Sequence, residues 1–181
     1  MSLPSLKLAS DTTRLRDSNR ATKRGVTIRQ TNDFDLRWLW AAYQKGVWND
    51  VLAEGLSQAD FKNTVIEILG AVEFDWVFEV RTDKGLRPVG LVTAQSRFAG
   101  RAIKPHVDWF PWASPRNRLE CGIQFVKEIG REVKIFLYIK EKDDKLWNRV
   151  WQYKVLKKGC KIHDCYASGE DAMMYYTPGP F

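Results

Sequence analysis

The chain has few of the residues that build disulfide and metal frameworks. Its 181 residues include three cysteines and two histidines. Such an odd, sparse set of cysteines is typical of a reducing compartment and excludes a small disulfide-bonded scaffold. One spacing, Cys160-x-x-His163-x-Cys165, is compatible with zinc, but a structural zinc site needs four ligands and only the distant Cys121 could be the fourth. We therefore predict no metal site.

Long apolar segments are also missing. No stretch approaches the roughly 20 consecutive apolar residues that cross a bilayer. The segment from Met1 to Lys7 lacks the apolar core of a secretory signal. We therefore expect no membrane partner and a protein that is made in the cytoplasm. The composition, 44% apolar and 13% aromatic, excludes wholesale disorder and favours one domain with a sizeable core.

Positive charge is concentrated at the beginning of the chain. Overall, 29 basic residues outnumber 22 acidic ones, and the first 25 residues contain six basic against two acidic side chains. We predict a basic arm over residues 1–25, followed by a folded domain over residues 26–181. A solvated tail is one interpretation of the arm, and contact with a polyanion or an acidic protein surface is the other. The residues expected to bind such a partner are Arg14, Arg16, Arg20, Lys23 and Arg24.

The pattern of apolar residues after the arm predicts an α+β domain with the element order β-α-α-β-β-β-α-β-α-β-β. Alternation over Val26–Gln30 predicts a strand. Ser57, with Asp60 three residues later, resembles a capping box at the start of a helix that Gly70 would end. The turn Asp83-Lys84-Gly85 between two β-rich runs predicts a hairpin.

The second half of the chain continues the pattern. We predict strands over His106–Phe110, Val133–Ile139, Lys161–Tyr166 and Ala172–Thr177, and helices over Leu119–Ile129 and from Asp143 to Leu156, the latter ended by Lys157-Lys158-Gly159. Pro111 and Pro115 are interpreted as residues that stop the first of these strands.

This order resembles the fold of the Gcn5-related N-acetyltransferase (GNAT) family, a mixed, mostly antiparallel sheet flanked by helices. The resemblance implies an acetyl-CoA-dependent N-acetyltransferase whose cofactor lies against the region Val107–Ile129. It also implies an asparagine early in the last helix and a glycine at its end. Asn148 and Gly159 fit that spacing.

The cofactor loop departs from the family pattern. In the family an Arg or Gln is followed by two residues, Gly, one residue, and Gly or Ala, because side chains there would keep the diphosphate from the main chain. The best register is Arg118-Leu119-Glu120-Cys121-Gly122-Ile123, in which Cys121 and Ile123 replace small residues. A crowded turn before Gly122 leads us to predict no cofactor. If the chain is an enzyme, Arg116, Arg118 and Gly122 are the candidates to contact acetyl-CoA.

The catalytic residues are also incomplete. The resemblance implies a tyrosine acid two turns after Asn148, where this chain has Val155, and the nearby Tyr153 points to another helical face. His106 and Asp108 lie two residues apart on a predicted strand and therefore share one face. They are candidates for a general base that activates an amine, with a simple solvent-facing pair as the alternative.

One short stretch narrows the resemblance. Leu146-Trp147-Asn148-Arg149-Val150-Trp151 resembles a segment shared by GNAT-like proteins encoded among the structural genes of short-tailed bacteriophages. We therefore expect a catalytically degenerate structural component of a phage virion, internal or associated with the head–tail region. It would dock through its basic arm onto other virion proteins or packaged DNA, and would occur in the virion and, during assembly, in the host cytoplasm. Ordinary core packing of Leu and Trp is the alternative explanation of the stretch.

Two other functions stay open. The first is an active acetyl-CoA-dependent N-acetyltransferase. The second is a nucleic-acid-binding accessory protein, which the charge favours. The aromatic residues, however, lie at spacings typical of a core and are not interleaved with Lys or Arg as stacking platforms would be.

Overall fold

The structure is a computed structural model that describes residues 20–21, 25–49, 52–97, 102–140, 156–163 and 169–178. The chain forms two compact units. The first contains residues 1–93 and 107–114, and the second contains residues 94–106 and 115–181. Residues 1–19 and 22–24 of the predicted arm lie outside the described ranges, so the boundary after residue 25 stays a prediction. No helix in these ranges is long and apolar enough to span a membrane.

The first unit combines an antiparallel sheet with two helices. Its strands are β1 (Arg20–Ala21), β2 (Val26–Arg29), β3 (Phe74–Thr82) and the first part of β4 (Gly85–Arg97), and its helices are α1 (Leu36–Tyr43) and α2 (Gln58–Ala71). The strands are hydrogen-bonded in the order β1-β2-β3-β4. Arg20 is opposite Ile28, and Val26 is opposite Val80. The predicted hairpin is confirmed, since β3 ends at Thr82 and β4 begins at Gly85, which has a φ of +105°.

Polar side chains cap the 3-10 turn before α1 and the start of α2. A 3-10 turn over Asp33–Asp35 leads into α1, and the Asn32 side chain accepts a hydrogen bond from the Phe34 N–H at 3.0 Å. At the start of α2 the Ser57 hydroxyl accepts from the Asp60 N–H at 3.1 Å and donates to the Asp60 carboxylate at 2.6 Å. The predicted start of α2 is therefore confirmed. Its predicted end is wrong, because Gly70 lies inside the helix, which continues to Ala71.

Aromatic residues fill the core between α1 and α2. Tyr43 and Phe61 pack with ring centroids 4.9 Å apart, and Trp40 stacks on Tyr43 at 5.4 Å. The Tyr43 hydroxyl donates to the Ala53 carbonyl at 2.7 Å and accepts from the Leu56 N–H at 2.9 Å, which ties the segment before α2 to α1. The buried members of this core are Leu39, Ala42, Tyr43, Leu52, Phe61, Val65, Val77, Leu91 and Phe110.

Along the chain of the second unit, a helix follows one strand and precedes a second strand that is parallel to the first. It contains the end of β4, the first part of β5 (Ala102–Trp109), α3 (Pro115–Ile129), β6 (Lys134–Lys140), β7 (Lys157–Ile162) and β8 (Ala172–Tyr176). The strands follow the order β5-β6-β8-β7. β5 is parallel to β6, whereas β8 is antiparallel to both β6 and β7. The predicted α+β class with a mixed, mostly antiparallel sheet is confirmed.

Three boundaries differ from the sequence prediction. β7 begins at Lys157, so Lys157-Lys158-Gly159 belongs to a strand and does not end a helix. The glycine serves close strand packing, because a Cβ on Gly159 would lie 2.7 Å from Met174 Cε and 3.3 Å from its carbonyl oxygen. β5 begins four residues earlier than predicted, at Ala102, and α3 begins at Pro115 instead of Leu119. Of the predicted last helix, Leu156 alone falls within the described ranges, and it is buried.

Candidate functional site

The parallel strands of the second unit part soon after they begin. Ala102 is opposite Lys134 and Ile103 is opposite Ile135, and these are the two pairs between β5 and β6 among the described residues. β5 has eight residues and β6 has seven, so both strands continue well beyond their pairing. Ile103 and Ile135 are buried at the point where the strands part. β5 and β6 are therefore paired at one end only.

The Lys104 side chain on β5 contacts a ring on β6 just beyond the last paired residues. Lys104 follows Ile103 directly, and its Nζ lies 4.6 Å from the centroid of the Tyr138 ring on β6. Such a cation–π contact stabilises by about 0.5–1 kcal/mol at an exposed site. A positive charge is therefore held where the main chains cease to pair.

The start of α3 is basic. Its first turn contains no acidic residue, and it carries Arg116 and Arg118, both exposed. The N–H groups of a first turn have no acceptor inside the helix, and the helix dipole adds about half a positive charge at that end. Arg116 Nε contacts Glu120 Oε1 at 2.9 Å, with the Arg116 side chain 85% exposed. Two arginines thus lie at a helix end that already favours anions, and one of them forms an exposed pair with Glu120.

The predicted cofactor residues occupy different parts of α3. Arg116 and Arg118 lie in its first turn, whereas Gly122 lies in the second, with open space where a Cβ would be. Cys121 and Ile123 are 0% and 6% exposed, so both side chains face the core. The segment before Gly122, which was predicted to be a crowded turn, is helical, and the side chains of Cys121 and Ile123 face the core. The absence of a cofactor that was predicted from such a turn stays a prediction. Ser114-Pro115 was the missed signal, since Ser before a helix and Pro at its first position are both favoured.

Cys121 is a core residue and has no role as a nucleophile. Burial, together with the nearby charge of Glu120, raises the pKa of its thiol to about 12. The thiol therefore stays protonated at neutral pH. A thiolate is the reactive form of cysteine, so this position is inert.

The two candidates for a general base fall into different units. His106 belongs to the second unit and is exposed, three residues beyond the last registered pair of β5. Asp108 belongs to the first unit and is half-buried. The Asp108 carbonyl oxygen approaches Gly90 so closely that a Cβ there would be 3.1 Å away.

Several predicted residues lie outside the described ranges. They are Arg14, Arg16, Lys23, Arg24, Asn148, Tyr153, Val155, Cys165 and the remainder of the 146–151 stretch. The role in a phage particle, which depends on that stretch and on the arm, stays a prediction. Arg20 of the arm is described, and its main chain forms β1 opposite Ile28.

The candidate zinc residues that are described have other surroundings. Cys160 is exposed on β7. His163 Nδ1 lies 3.3 Å from the Asp171 carboxylate, which also binds Lys161 at 2.8 Å. In the part of the chain that the structure describes, no group of three or more His, Cys, Asp or Glu side chains is arranged to hold a metal.

Sequence reasoning missed a buried ion-pair network in the first unit. Arg29 on β2 donates to both oxygens of Asp35 at 2.7 Å and to Glu79 Oε1 at 2.8 Å. Asp35 and Glu79 are buried. Hydrogen bonding to Asp35, and then to Glu79, raises the pKa of the Arg29 guanidinium, which stays charged. Because Arg29 and Glu79 are 50 residues apart, no local pattern could have predicted the network.

Comparison with known proteins identifies the fold. No family model and no curated protein matches the chain. A spermidine N-acetyltransferase from Vibrio cholerae, solved in complex with CoA and spermine, is similar with a TM-score of 0.57 and 13% identity, covering 84% of this chain and 94% of that one. A GNAT-family acetyltransferase from Bacillus anthracis is similar with a TM-score of 0.59 and 14% identity, covering 87% and 95%.

A third similar structure is a putative acetyltransferase from Sphaerobacter thermophilus, with a TM-score of 0.56, 15% identity and coverage of 89% and 98%. At such low identity the similarity establishes the fold and leaves the activity open. The chain has the fold of GNAT acetyltransferases.

Proposed function

We propose that the second unit binds acetyl-CoA at the start of α3 and transfers the acetyl group to an amine. The observation that carries the proposal is the basic first turn of α3, which has Arg116 and Arg118 and no acidic residue. It follows β5, which among the described residues pairs with the parallel strand β6 at Ala102–Lys134 and Ile103–Ile135. The similar solved structures are acetyltransferases, and one of them was solved with CoA bound.

The diphosphate of CoA would bind to Arg116, Arg118 and the N–H groups of the first turn. Arg116 would have to leave Glu120, with which it forms an exposed pair four residues away. Such a pair contributes about 0.3–0.5 kcal/mol. A charge-assisted hydrogen bond contributes about 1.5–3 kcal/mol. The phosphate therefore outcompetes Glu120.

The chain of CoA that carries the thioester would extend toward the parting strands. Its amide groups can hydrogen-bond to main chain, as a third strand would, and in the described ranges β5 and β6 are registered at two pairs. The thioester would then lie in the part of the unit that contains Lys104 and His106. His106 is exposed and is the described residue on β5 best suited to accept a proton from an amine.

The reaction would be a direct acyl transfer. The amine nitrogen attacks the thioester carbonyl carbon, a C–N bond forms and the C–S bond breaks. The amine gives one proton to His106. The sulfur would leave with the electron pair of the broken C–S bond and take a proton from the solution.

Thermal unfolding with acetyl-CoA tests the binding step. A ligand at 100 times its Kd stabilises a protein by about 2.7 kcal/mol. In a chain of this size that corresponds to a rise in Tm of about 5–10 °C. A Tm that does not change at millimolar acetyl-CoA contradicts the proposal.

Release of CoA thiol tests the transfer step. Spermine and a lysine-containing peptide should be tried as acceptors, and thiol should appear only when an amine is present. His106→Ala should lower the rate by about 100-fold or more while the affinity for acetyl-CoA is unchanged. Binding without any amine-dependent release would restrict the function to cofactor binding.

A further inference from the structure

A row of aromatic and basic side chains lies on the surface of the first unit. We call it the Arg–Trp ridge, and its members are Arg37, Trp38, Arg87 and Trp112. Arg37 Cζ lies 5.1 Å from the Trp38 ring, the rings of Trp38 and Trp112 are 6.1 Å apart, and Arg87 Cζ lies 5.3 Å from the Trp112 ring. The fold thus brings Arg37 and Trp38 together with Arg87 and Trp112, which lie far from them in the sequence.

The centre of the ridge is fixed to the sheet. Trp112 Nε1 donates a hydrogen bond to the Pro88 carbonyl at 2.7 Å, beside Arg87 on β4. The Trp112 ring also packs against Phe110 at 5.2 Å, and Phe110 is fully buried. The Phe110 N–H donates to the Val89 carbonyl at 3.0 Å. The ring is therefore a rigid platform.

The positive charge of the ridge comes from the guanidinium groups of Arg37 and Arg87. Both arginines are exposed, and neither forms a salt bridge with any residue of the described ranges. Stacking on a ring occupies one face of a guanidinium and leaves its edge donors available. Those donors bind phosphate oxygens in pairs. Arg37 and Arg87 can therefore each bind one anionic group.

Phe34 is the most exposed large apolar side chain in the described ranges, at 78%. It lies in the 3-10 turn before α1, four residues before Trp38. The turn is held by Asn32 and by Asp35, whose carboxylate is bound to Arg29 at 2.7 Å. A buried ion-pair network therefore supports a turn that presents an aromatic ring to solvent.

We propose that the Arg–Trp ridge binds single-stranded nucleic acid. Phosphates would bind to Arg37 and Arg87, and an unpaired base would stack on Phe34. Proteins that bind single strands combine basic residues with aromatic platforms in this way. The net charge of +7 attracts a polyanion. An acidic protein would use the arginines but would not require an exposed ring.

Fluorescence anisotropy with a labelled 20-nucleotide oligo-dT strand tests the proposal on the full chain. Arg37→Ala with Arg87→Ala should weaken binding by about 10-fold or more. The matched control is Lys127→Ala with Arg131→Ala, which removes the same charge from exposed residues of the second unit and should weaken binding less than about two-fold. Loss of two phosphate contacts should also reduce the slope of log Kd against log salt by about 1.4.

Phe34→Ala tests the stacking step separately. It should weaken binding by about five-fold or more, because one stacked base is lost. These residues are exposed, and circular dichroism should show unchanged folding.

Three results would overturn the proposal. Equal loss in both double variants would attribute binding to net charge alone. Equal affinity for a 20-base-pair duplex, or an unchanged affinity of Phe34→Ala, would exclude stacking. Full competition by polyglutamate at equal charge would point to an acidic protein as the partner.

Discussion

Two helix starts in this molecule use opposite chemistry. The turn before α1 contains Asp33 and Asp35, is capped by Asn32, and is held by the half-buried Arg29. The first turn of α3 contains no acidic residue and carries two exposed arginines. Acidic side chains stabilise a helix start and basic ones oppose its dipole.

We interpret the start of α1 as serving the stability of the fold and the start of α3 as serving ligand binding. In the 3-10 turn before α1, the Asn32 side chain accepts from the Phe34 N–H and the Asp35 carboxylate accepts from the Asn32 N–H, so the protein itself supplies the acceptors there. The start of α3 sets basic residues where a structural helix would have acidic ones. Local rules are most often broken at functional sites, and an anion such as a diphosphate would restore the balance at α3.

The largest effect is expected from breaking the start of α1. Arg29→Ala leaves Asp35 and Glu79 buried without their cation, and should lower the free energy of unfolding by about 3–5 kcal/mol. Urea unfolding measures the loss. Arg116→Ala is the matched control at α3, and it should change the stability by less than about 0.5 kcal/mol because its ion pair is exposed. Similar losses in both variants would mean that the two starts do not differ.

The second effect concerns cofactor affinity. Arg116→Ala with Arg118→Ala should weaken CoA binding by about 10-fold or more, because each guanidinium contributes a charge-assisted contact. Lys127→Ala with Arg131→Ala lowers the net charge equally and should leave the Kd within about two-fold. Isothermal calorimetry distinguishes the two. An unchanged Kd in the first variant would exclude phosphate binding at the start of α3.

The third prediction concerns the core-facing side of α3, where the Cys121 thiol is buried. The unfolded chain releases the Cys121 proton at the ordinary pKa of 9.0, whereas the folded chain retains it up to about 12. Between these values the folded state binds one more proton, so the stability falls by about 1.4 kcal/mol per pH unit. Cys121→Ala should remove this part of the slope between pH 9 and 10.5 in thermal melts. Equal slopes in wild type and variant would show that the thiol is not buried.

The smallest expected effect is a gain in stability together with a loss of CoA affinity. Asn117→Asp adds the missing acidic side chain to the first turn of α3. It should raise the stability of the ligand-free protein by about 0.3–1 kcal/mol and weaken CoA binding. Asn63→Asp, an exposed change on α2, is the control and should not alter CoA affinity. A gain in both stability and affinity would contradict the interpretation of α3.

Local signals predicted much of the fold. Asp83-Lys84-Gly85 predicted the hairpin because Gly85 adopts a positive φ, and Ser57 predicted the start of α2 because its hydroxyl caps the helix. The start of α3 was missed because Pro115 was interpreted as the end of a strand, although proline also favours the first turn of a helix. That error moved the expected anion-binding segment from the first turn of α3 to the residues before Gly122 in the second turn.

The remaining features depend on long-range packing. Gly159 was interpreted as a helix end, but its lack of a side chain allows Met174 of β8 to approach. The ridge joins Trp38 to Trp112, and the ion-pair network joins Arg29 to Glu79. Such pairs appear only when the strands are in place, so a reading of neighbouring residues could not have found them.

The central claim is that the start of α3 binds the diphosphate of CoA. Calorimetric titration of the wild-type chain with CoA and with pantetheine, which lacks the diphosphate, tests it directly. We expect CoA to bind at least about 100-fold more tightly, because two charge-assisted contacts are worth about 3 kcal/mol or more. Equal affinity for the two compounds, or no heat with CoA at millimolar concentration, would contradict the account.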